Sequence, residues 1–281
     1  VRRFAPGIAV ALVLILGANL ALAAKMLTAQ ARPRWNDDRM LTILAIGSDM
    51  GLPRAGSPLN GRADAIHLIA VDTKKLRATI VDIPRDSFIS GDKVNAFLQA
   101  GGPDRLVSVL ESYSGVKLDY YVLTSFRGLR GLVNGIGGVP ITLEAPINDS
   151  ASKANLRGGP QKLGSAEALA YSRARKSVAG GDFGRTRHQG ELIRAAHKHL
   201  RDRDTGLLSL TRALATFAHN TVTDIPPTEL FRMASLALDI KPANIKQVSL
   251  SGPTGFVGAA SVVHLAPGSA FSDIRAGRVG P

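Results

Sequence analysis

The sequence predicts an α/β fold: a single domain with a mixed central sheet of about six strands flanked by helices, preceded by an N-terminal transmembrane helix. Three observations carry this. Compact apolar runs of strand length (Met40–Ile46, Ala65–Val71, Leu76–Ile83, Leu118–Thr124, Val139–Leu143, Ile245–Leu250) alternate with stretches whose apolar residues recur every three or four positions. The second and third runs are separated by Asp72-Thr73-Lys74-Lys75, turn chemistry that makes them an antiparallel hairpin and the sheet therefore mixed. The chain of 281 residues, 45% of them hydrophobic, suffices for one large domain with a core of its own.

Arg2 and Arg3 precede a charge-free run from Phe4 to Ala24. At about 1.5 Å per residue such a run crosses a hydrocarbon core of roughly 30 Å. Basic residues before it place residues 1–3 in the cytoplasm, although Lys25, Arg32 and Arg34 on the other side weaken that vote. The segment reads as a signal anchor; a cleaved secretory signal is the rival, because Ala21-Leu22-Ala23 fits a small-x-small cleavage site. Both readings send the remainder out of the cytoplasm. Residues 25–37 form a stalk, 38–275 the external domain, and 276–281 a tail.

Within the domain, the first strand run ends in Gly47-Ser48-Asp49 and leads into a polar, Gly-rich loop, Met50 to Arg62. Asp64 stands just before the second run, and the third ends in Pro84-Arg85-Asp86, with Lys93 a short loop later. In a mixed sheet Asp49, Asp64 and Arg85 then share one edge, where α/β sheets usually carry their sites. A helix starts at Pro103-Asp104, shows Leu106, Val107, Leu110 and Tyr113 on one face, and closes at Gly115. Ser125 is an N-cap for a short helix through Leu132 and Val133, and the glycines Gly135, Gly137 and Gly138 turn the chain into the next strand. Residues 145–162 read as a surface loop and Ser165–Tyr171 as a short helix. Leu207–Phe217 and Thr228–Leu238 are helical in spacing, parted by Pro226-Pro227; beyond Gly252 the pattern is silent.

A formal charge of +13 calls for an anionic partner. Aromatics are only 5%, and no Arg/Lys stretch is interleaved with Phe or Tyr as base stacking requires, so nucleic acid is not expected. The absence of cysteine excludes disulfides, thiolate metal sites and a Cys nucleophile.

The basic residues concentrate between Tyr171 and Gln189, which holds Arg173, Arg175, Arg185 and Arg187 together with Asp182. Beyond it, Leu192, Ile193, Ala196 and Leu200 mark a helix starting near Asp182 with one buried stripe. Asp182, Arg185 and Gln189, three and four residues apart, extend that stripe and so face the interior or a cleft. Arg173 and Arg175, two apart, point to one side if their segment is extended. Guanidiniums gathered at the positive start of a helix make an anion site suited to phosphate. A solvated charged face is the ordinary reading of a basic run, and a loop cap that of a lone aspartate. Taken together, Asp49 and Asp64 with no His or Cys partner suit a hard divalent cation that keeps some of its waters, Mg²⁺ before Zn²⁺.

Seven short pieces now stand in order: Ile46-Gly47-Ser48-Asp49, Ala63-Asp64-Ala65-Ile66, Ile83-Pro84-Arg85-Asp86, Lys93-Val94-Asn95-Ala96, Gly137-Gly138-Val139, Ala168 to Arg175, and Asp182 to Gln189. In this the chain resembles the LytR–CpsA–Psr family of cell-envelope glycopolymer transferases, over roughly residues 40–250. The resemblance implies a membrane-anchored, Mg²⁺-dependent phosphotransferase, with Mn²⁺ the alternative ion, on the cell-wall side of the membrane. It would hold a polyprenyl-pyrophosphate glycan with its lipid in an apolar tunnel. The glycan phosphate would pass to peptidoglycan, releasing polyprenyl phosphate. Asp49 and Asp64 would bind the metal; Arg85, Arg173, Arg175 and Arg185 would contact the pyrophosphate, assisted by Lys93 and Gln189. Asp182 would orient the arginines or take the acceptor proton, with Asp86 the other candidate base; Arg187 matches a position less firmly tied to the site. Two departures stand out: Met50-Gly51-Leu52-Pro53 delays the arginine that commonly follows Gly-Ser-Asp until Arg54, and no additional C-terminal domain is expected. The competing readings are a pyrophosphatase acting on the same phosphoryl centre, a non-catalytic lipid- or anion-binding envelope protein, and a transcriptional attenuator, which the external topology opposes.

Overall fold

The computed structural model describes residues 39–51, 61–203 and 207–281. The expected membrane-spanning run, the stalk and most of the loop after Asp49 lie outside the described residues. Among the described residues, no helix is long and apolar enough to cross a membrane.

Six strands make the main sheet: β1 (Met40–Ser48), β2 (Ala63–Asp72), β3 (Arg77–Asp82), β4 (Tyr120–Ser125), β5 (Thr221–Thr223) and β6 (Ile245–Ser249). Their spatial order is β5-β4-β1-β2-β3-β6. The pairs β1–β2, β2–β3 and β4–β5 are antiparallel, whereas β1–β4 and β3–β6 are parallel, so the sheet is mixed as expected. The β2–β3 turn is fixed by Asp72, whose carboxylate accepts the amides of Lys74 and Lys75 at 3.1 and 2.9 Å. These short-range bonds pull two strongly apolar strands into register.

Among the described residues, seven helices accompany the sheet: α1 (Ala96–Ser114), α2 (Phe126–Gly135), α3 (Ser165–Arg173), α4 (Asp182–Asp202), α5 (Leu207–Asn220), α6 (Pro227–Asp239) and α7 (Ala270–Arg275). Helix α1 begins earlier than its Pro103-Asp104 signal, because helical backbone resumes across a break at Gly101 and Gly102. Ser125 caps α2 as expected, its hydroxyl accepting the Gly128 amide at 3.1 Å.

One strand moves. Val139–Leu143 is extended but lies outside the main sheet, paired with Gly159–Leu163 in a separate ribbon, and the three-residue β5 takes the edge position instead. The reason is visible along the segment: Val139 and Leu143 are buried while Pro140 and Thr142 are exposed, the alternation of a strand covered on one face. Pro140 also lacks the amide a central ladder needs. Residues 145–162 are correspondingly not a plain loop, since Ile147–Asp149 pairs with Ala154–Leu156. Past Gly252, Thr254–Val257 and Ala260–Val263 form a hairpin, and the final residues return to the sheet, where the Gly280 amide reaches Thr79 Oγ1 at 2.9 Å.

The core has three parts. Leu44, Ile46, Ile66, Leu68 and Val81 pack one sheet face against Leu106 and Leu110 of α1 and Phe271 of α7. A satellite cluster around Tyr171 joins α2, α3 and the ribbons to Leu192 of α4. The third part lies on the other sheet face, where Tyr120 and Ile80 meet Leu230 and Met233 of α6. Here the packing is incomplete. Ile43, Ile69 and Val122, from three neighbouring inner strands, stay only half-buried although Ile193, Leu214, Phe217 and Leu236 lie over them. Side chains in the middle of a covered sheet face are normally sealed from water, so α4–α6 leave this apolar face incompletely covered.

Candidate anion-binding site

The strand directions place the site. β1 and β3 run the same way with β2 reversed between them, so the end of β1, the start of β2 and the end of β3 share one edge. Asp49, Asp64 and Arg85 stand there, as the sequence implied. The Arg85 guanidinium pairs with Asp64 through Nη1, lies 3.6 Å from Asp86, and reaches to 4.0 Å from Asp182. Lys93 Nζ holds the other face of Asp86 at 2.9 Å.

Helix α4 delivers the second half. Its first residue, Asp182, engages Arg185 one turn on, at 2.9 Å. Arg185 is 4% exposed, and its Nε–H is buried without a hydrogen-bond partner in the protein. A buried guanidinium donor left open this way costs on the order of 1–3 kcal/mol, a cost that an entering anion would relieve. Gln189, also buried, donates to the carbonyls of Asp64 (3.3 Å) and Ser172 (2.9 Å), tying β2 to α3 through α4.

Arg173 and Arg175 arrive differently from the expectation. The segment is not extended: α3 continues through Arg173 and the chain leaves it at Ala174, because the Ala- and Leu-rich run that starts the helix has nothing to stop it before that point. Arg173 is exposed and lies over the Phe126 ring at 4.8 Å, which brings it to the end of β4, the same edge of the sheet. Arg175 is also exposed, and its charge is felt by Arg185. Arg187 is turned aside, paired with Glu191 at 3.3 Å.

Electrostatics follow the geometry. Burial lowers the Arg85 pKa, but Asp64, Asp182 and Asp86 outweigh it and leave the group above its ordinary value. For Arg185 burial prevails, with Arg85 and Arg175 adding to it against Asp182 and Asp64, so its pKa falls. An arginine crowded by like charges gains most when an anion enters.

The carboxylates expected to hold a metal are Asp49 and Asp64, the latter paired with Arg85. The main chain joins their neighbourhoods, the Asp49 amide donating to Arg62 O at 3.2 Å while Asp49 Oδ1 accepts the Arg62 amide at 2.8 Å. Gly61 keeps this corner open, since a Cβ there would stand 2.2 Å from Ser48 Oγ and 3.2 Å from Asp49 Oδ1. No group of three or more His, Cys, Asp or Glu side chains is arranged for a metal among the described residues. Two carboxylates without a third suit an ion that completes its shell with water and substrate phosphate, as Mg²⁺ does.

Two structural anchors were not visible in the sequence. Asp149, placed there in a loop, is buried and accepts the amides of Arg175 and Lys176 at 2.8 and 2.9 Å, along with those of Ala151 and Ser152. These amides, led by Arg175 and Lys176, lower its pKa to about 2. Asp82 accepts from His67 Nδ1 (2.8 Å), Gln247 Nε2 (2.6 Å) and Ser249 Oγ (2.7 Å). The one available hint for Asp82 was a carboxylate ending an otherwise apolar strand; Asp149 gave none.

Fold and site together define an α/β domain with a guanidinium–carboxylate anion site at one edge of a mixed sheet, above a partly open apolar layer. The model of the LytR_cpsA_psr family matches residues 18–272, and the chain belongs to that family. It is 25% identical over 220 residues to the polyisoprenyl-teichoic acid–peptidoglycan teichoic acid transferase TagV of Bacillus subtilis, covering 74% of this chain and 56% of TagV. The crystal structure of TagV superposes with a TM-score of 0.71 at 23% identity, over 85% of this chain and 96% of that one. The transferase TagU of Enterococcus faecalis is 26% identical over 230 residues, 79% of this chain and 73% of TagU. A structure of TagT bound to LIIa-WTA shares the fold, with a TM-score of 0.67 at 20% identity, covering 89% and 93% of the two chains. The chain thus spans little more than half the length of TagV.

Proposed function

We propose that this chain is a membrane-anchored phosphotransferase that moves a glycopolymer phosphate from a polyprenyl-pyrophosphate carrier to peptidoglycan, on the cell-wall side of the membrane, releasing polyprenyl phosphate. The observation that carries the reading is the convergence of Arg85 and Arg185 on the Asp182 carboxylate at the sheet edge, with the Arg185 Nε–H left open. The half-buried apolar side chains under α4–α6 support it, because an isoprenoid chain would cover what the protein's own side chains leave open. The relatives named as teichoic acid transferases support it further.

In this mechanism the acceptor hydroxyl oxygen attacks the sugar-side phosphorus. A new P–O bond forms, the bond to the bridging oxygen breaks, and polyprenyl phosphate leaves with the electron pair. Arg85, Arg173, Arg175 and Arg185, with Lys93, neutralise charge that moves onto the leaving phosphate. Gln189 fixes the spacing of α4 from β2. The hydroxyl proton passes to Asp182, which touches only Arg185 closely, in preference to Asp86, which Lys93 and Arg85 hold between them. Asp49 and Asp64 would hold Mg²⁺, or Mn²⁺ in its place; when bound, the ion supplies positive charge to the phosphate oxygens. The charge balance favours that ion: five cationic side chains are set against Asp49, Asp64, Asp86 and Asp182, too even a match for a doubly charged pyrophosphate.

The test uses labelled lipid-linked glycan with and without peptidoglycan, in Mg²⁺ and in chelator. Label transferred to the wall polymer in Mg²⁺ alone supports the proposal. Free glycan phosphate regardless of acceptor would indicate a pyrophosphatase, and no turnover with retained binding a non-catalytic envelope protein.

A further inference from the structure

Beside the arginines stands a surface with different chemistry. From Gln247 to Ser272 the sequence carries no Asp, Glu, Lys or Arg. This stretch leaves the end of β6, at the site edge of the sheet, and folds into the hairpin Thr254–Val257/Ala260–Val263. The hairpin is fastened to the site itself: the Val263 amide donates to Asp86 O at 2.9 Å, and Ser87 bridges to Val263. His264 meets the Phe88 ring edge-on at 6.4 Å, next to the Lys93 ribbon. At the tip, Phe256 is 76% exposed and Val257 is exposed beside it, with the small polar Thr254 and Ser261 also open to solvent. A large ring held in water on an anchored hairpin, with Val257 exposed beside it, offers a contact surface.

We propose that this hairpin is a saccharide-binding lip of the site, whose Phe256 ring stacks on a sugar of the neutral acceptor glycan strand; the proposal rests on the transferase reading above. Three features select that occupant. The hairpin itself carries no Lys or Arg to hold a phosphate-bearing donor polymer, whereas an aromatic face with hydroxyls beside it suits a neutral pyranose, which offers C–H groups on one face and hydroxyls at its rim. The chain enters β1 at Met40, roughly 25–30 Å of strand from the site edge. Anchored through the apolar run preceding Met40, the domain would be tethered at the end remote from the lip, which would leave the lip free to meet the wall polymer. The donor, finally, is already gripped through its pyrophosphate, so the acceptor is the substrate that still needs a binding surface.

The test uses the full chain in lipid nanodiscs. Chitotetraose serves as a neutral β-linked amino-sugar probe, a glycerol phosphate oligomer as the anionic one, and doxyl-labelled lipid as the membrane one. The protein has one tryptophan, Trp35, so Phe256→Trp in a Trp35→Phe background reports from the lip alone. Chitotetraose is expected to shift the emission of that variant saturably. Phe256→Ala is expected to weaken chitotetraose binding about tenfold and to raise KM for the acceptor with kcat unchanged, while affinity for inorganic pyrophosphate stays at the wild-type value. Chitotetraose binding that survives Phe256→Ala overturns the proposal. So does emission that answers to doxyl lipid or to the glycerol phosphate oligomer instead. A wild-type protein that fails to bind pyrophosphate counts against the transferase reading alone, because the saccharide titration still decides the lip.

Discussion

Gly190 of α4 lies directly over Asp82 of β3: a methyl group on its Cα would fall 2.2 Å from Asp82 Oδ1 and 2.4 Å from Gln247 Nε2. Gln247 in turn bonds both Asp82 and the carbonyl of Arg187, at 2.6 and 2.9 Å. The helix that carries Asp182, Arg185 and Gln189 is thus fastened to the sheet one residue beyond Gln189, and Asp82 is the fastening point.

Gly190→Ala should therefore act on stability and site together. Forcing a methyl against two backed polar atoms is overpacking, worth a loss of about 1–3 kcal/mol in urea unfolding. As α4 lifts, inorganic pyrophosphate should bind about tenfold more weakly by calorimetry. Unchanged affinity in a destabilised variant would show that the helix position does not govern the site.

Asp149 holds the backbone that presents Arg175. Its native pKa, about 2, lies below the ordinary carboxylate value, so its contribution to stability is complete above the unfolded pKa near 4 and is lost as pH falls toward 2. Asp149→Asn keeps the shape and removes the charge. It should lower stability at pH 7 by about 1–3 kcal/mol and flatten the acid limb between pH 4 and 2 in circular-dichroism titrations.

His188 is stacked on Tyr171 with ring centroids 4.4 Å apart, and burial, with Arg187 nearby, lowers its pKa to about 4. The unfolded chain takes up this proton first, near pH 6.5, so stability falls as pH drops from 6.5 toward 4 and is level above that range. His188→Phe should remove that part of the slope, measured as urea midpoints against pH, without shifting the pH profile of transfer.

The incompletely covered sheet face can be covered further from within. Ala45 of β1 is half-buried on the same sheet face as Ile43. In a complete core Ala45→Leu would cost about 1–3 kcal/mol; on this incompletely covered face the change in stability should stay within about 1 kcal/mol. Polyprenyl phosphate should bind at least tenfold more weakly, with inorganic pyrophosphate unaffected.

The sheet edge was legible because strand ends announce themselves: Gly47-Ser48-Asp49 and Pro84-Arg85-Asp86 close two apolar runs, and the hairpin between them dictates direction. Arg185 and Gln189 were legible because helical spacing carried an apolar stripe back onto them. What stayed hidden depends on contacts distant in sequence. Val139–Leu143 has strand composition, but only tertiary packing decides which ladder it joins. Thr221–Thr223 is too short to show a period. Asp149 acts on amides 26 and 27 residues away, a relationship that no local pattern encodes.

The two walls of the anion site have separate foundations. Arg85 and Asp64 stand on the sheet, whereas Arg173 and Arg175 stand on the cluster around Tyr171, and α4 is the beam between them. A diphosphate spanning both would act as a keystone. Its arrival would brace both walls at once, so pyrophosphate should slow amide exchange in α3 as much as in β3.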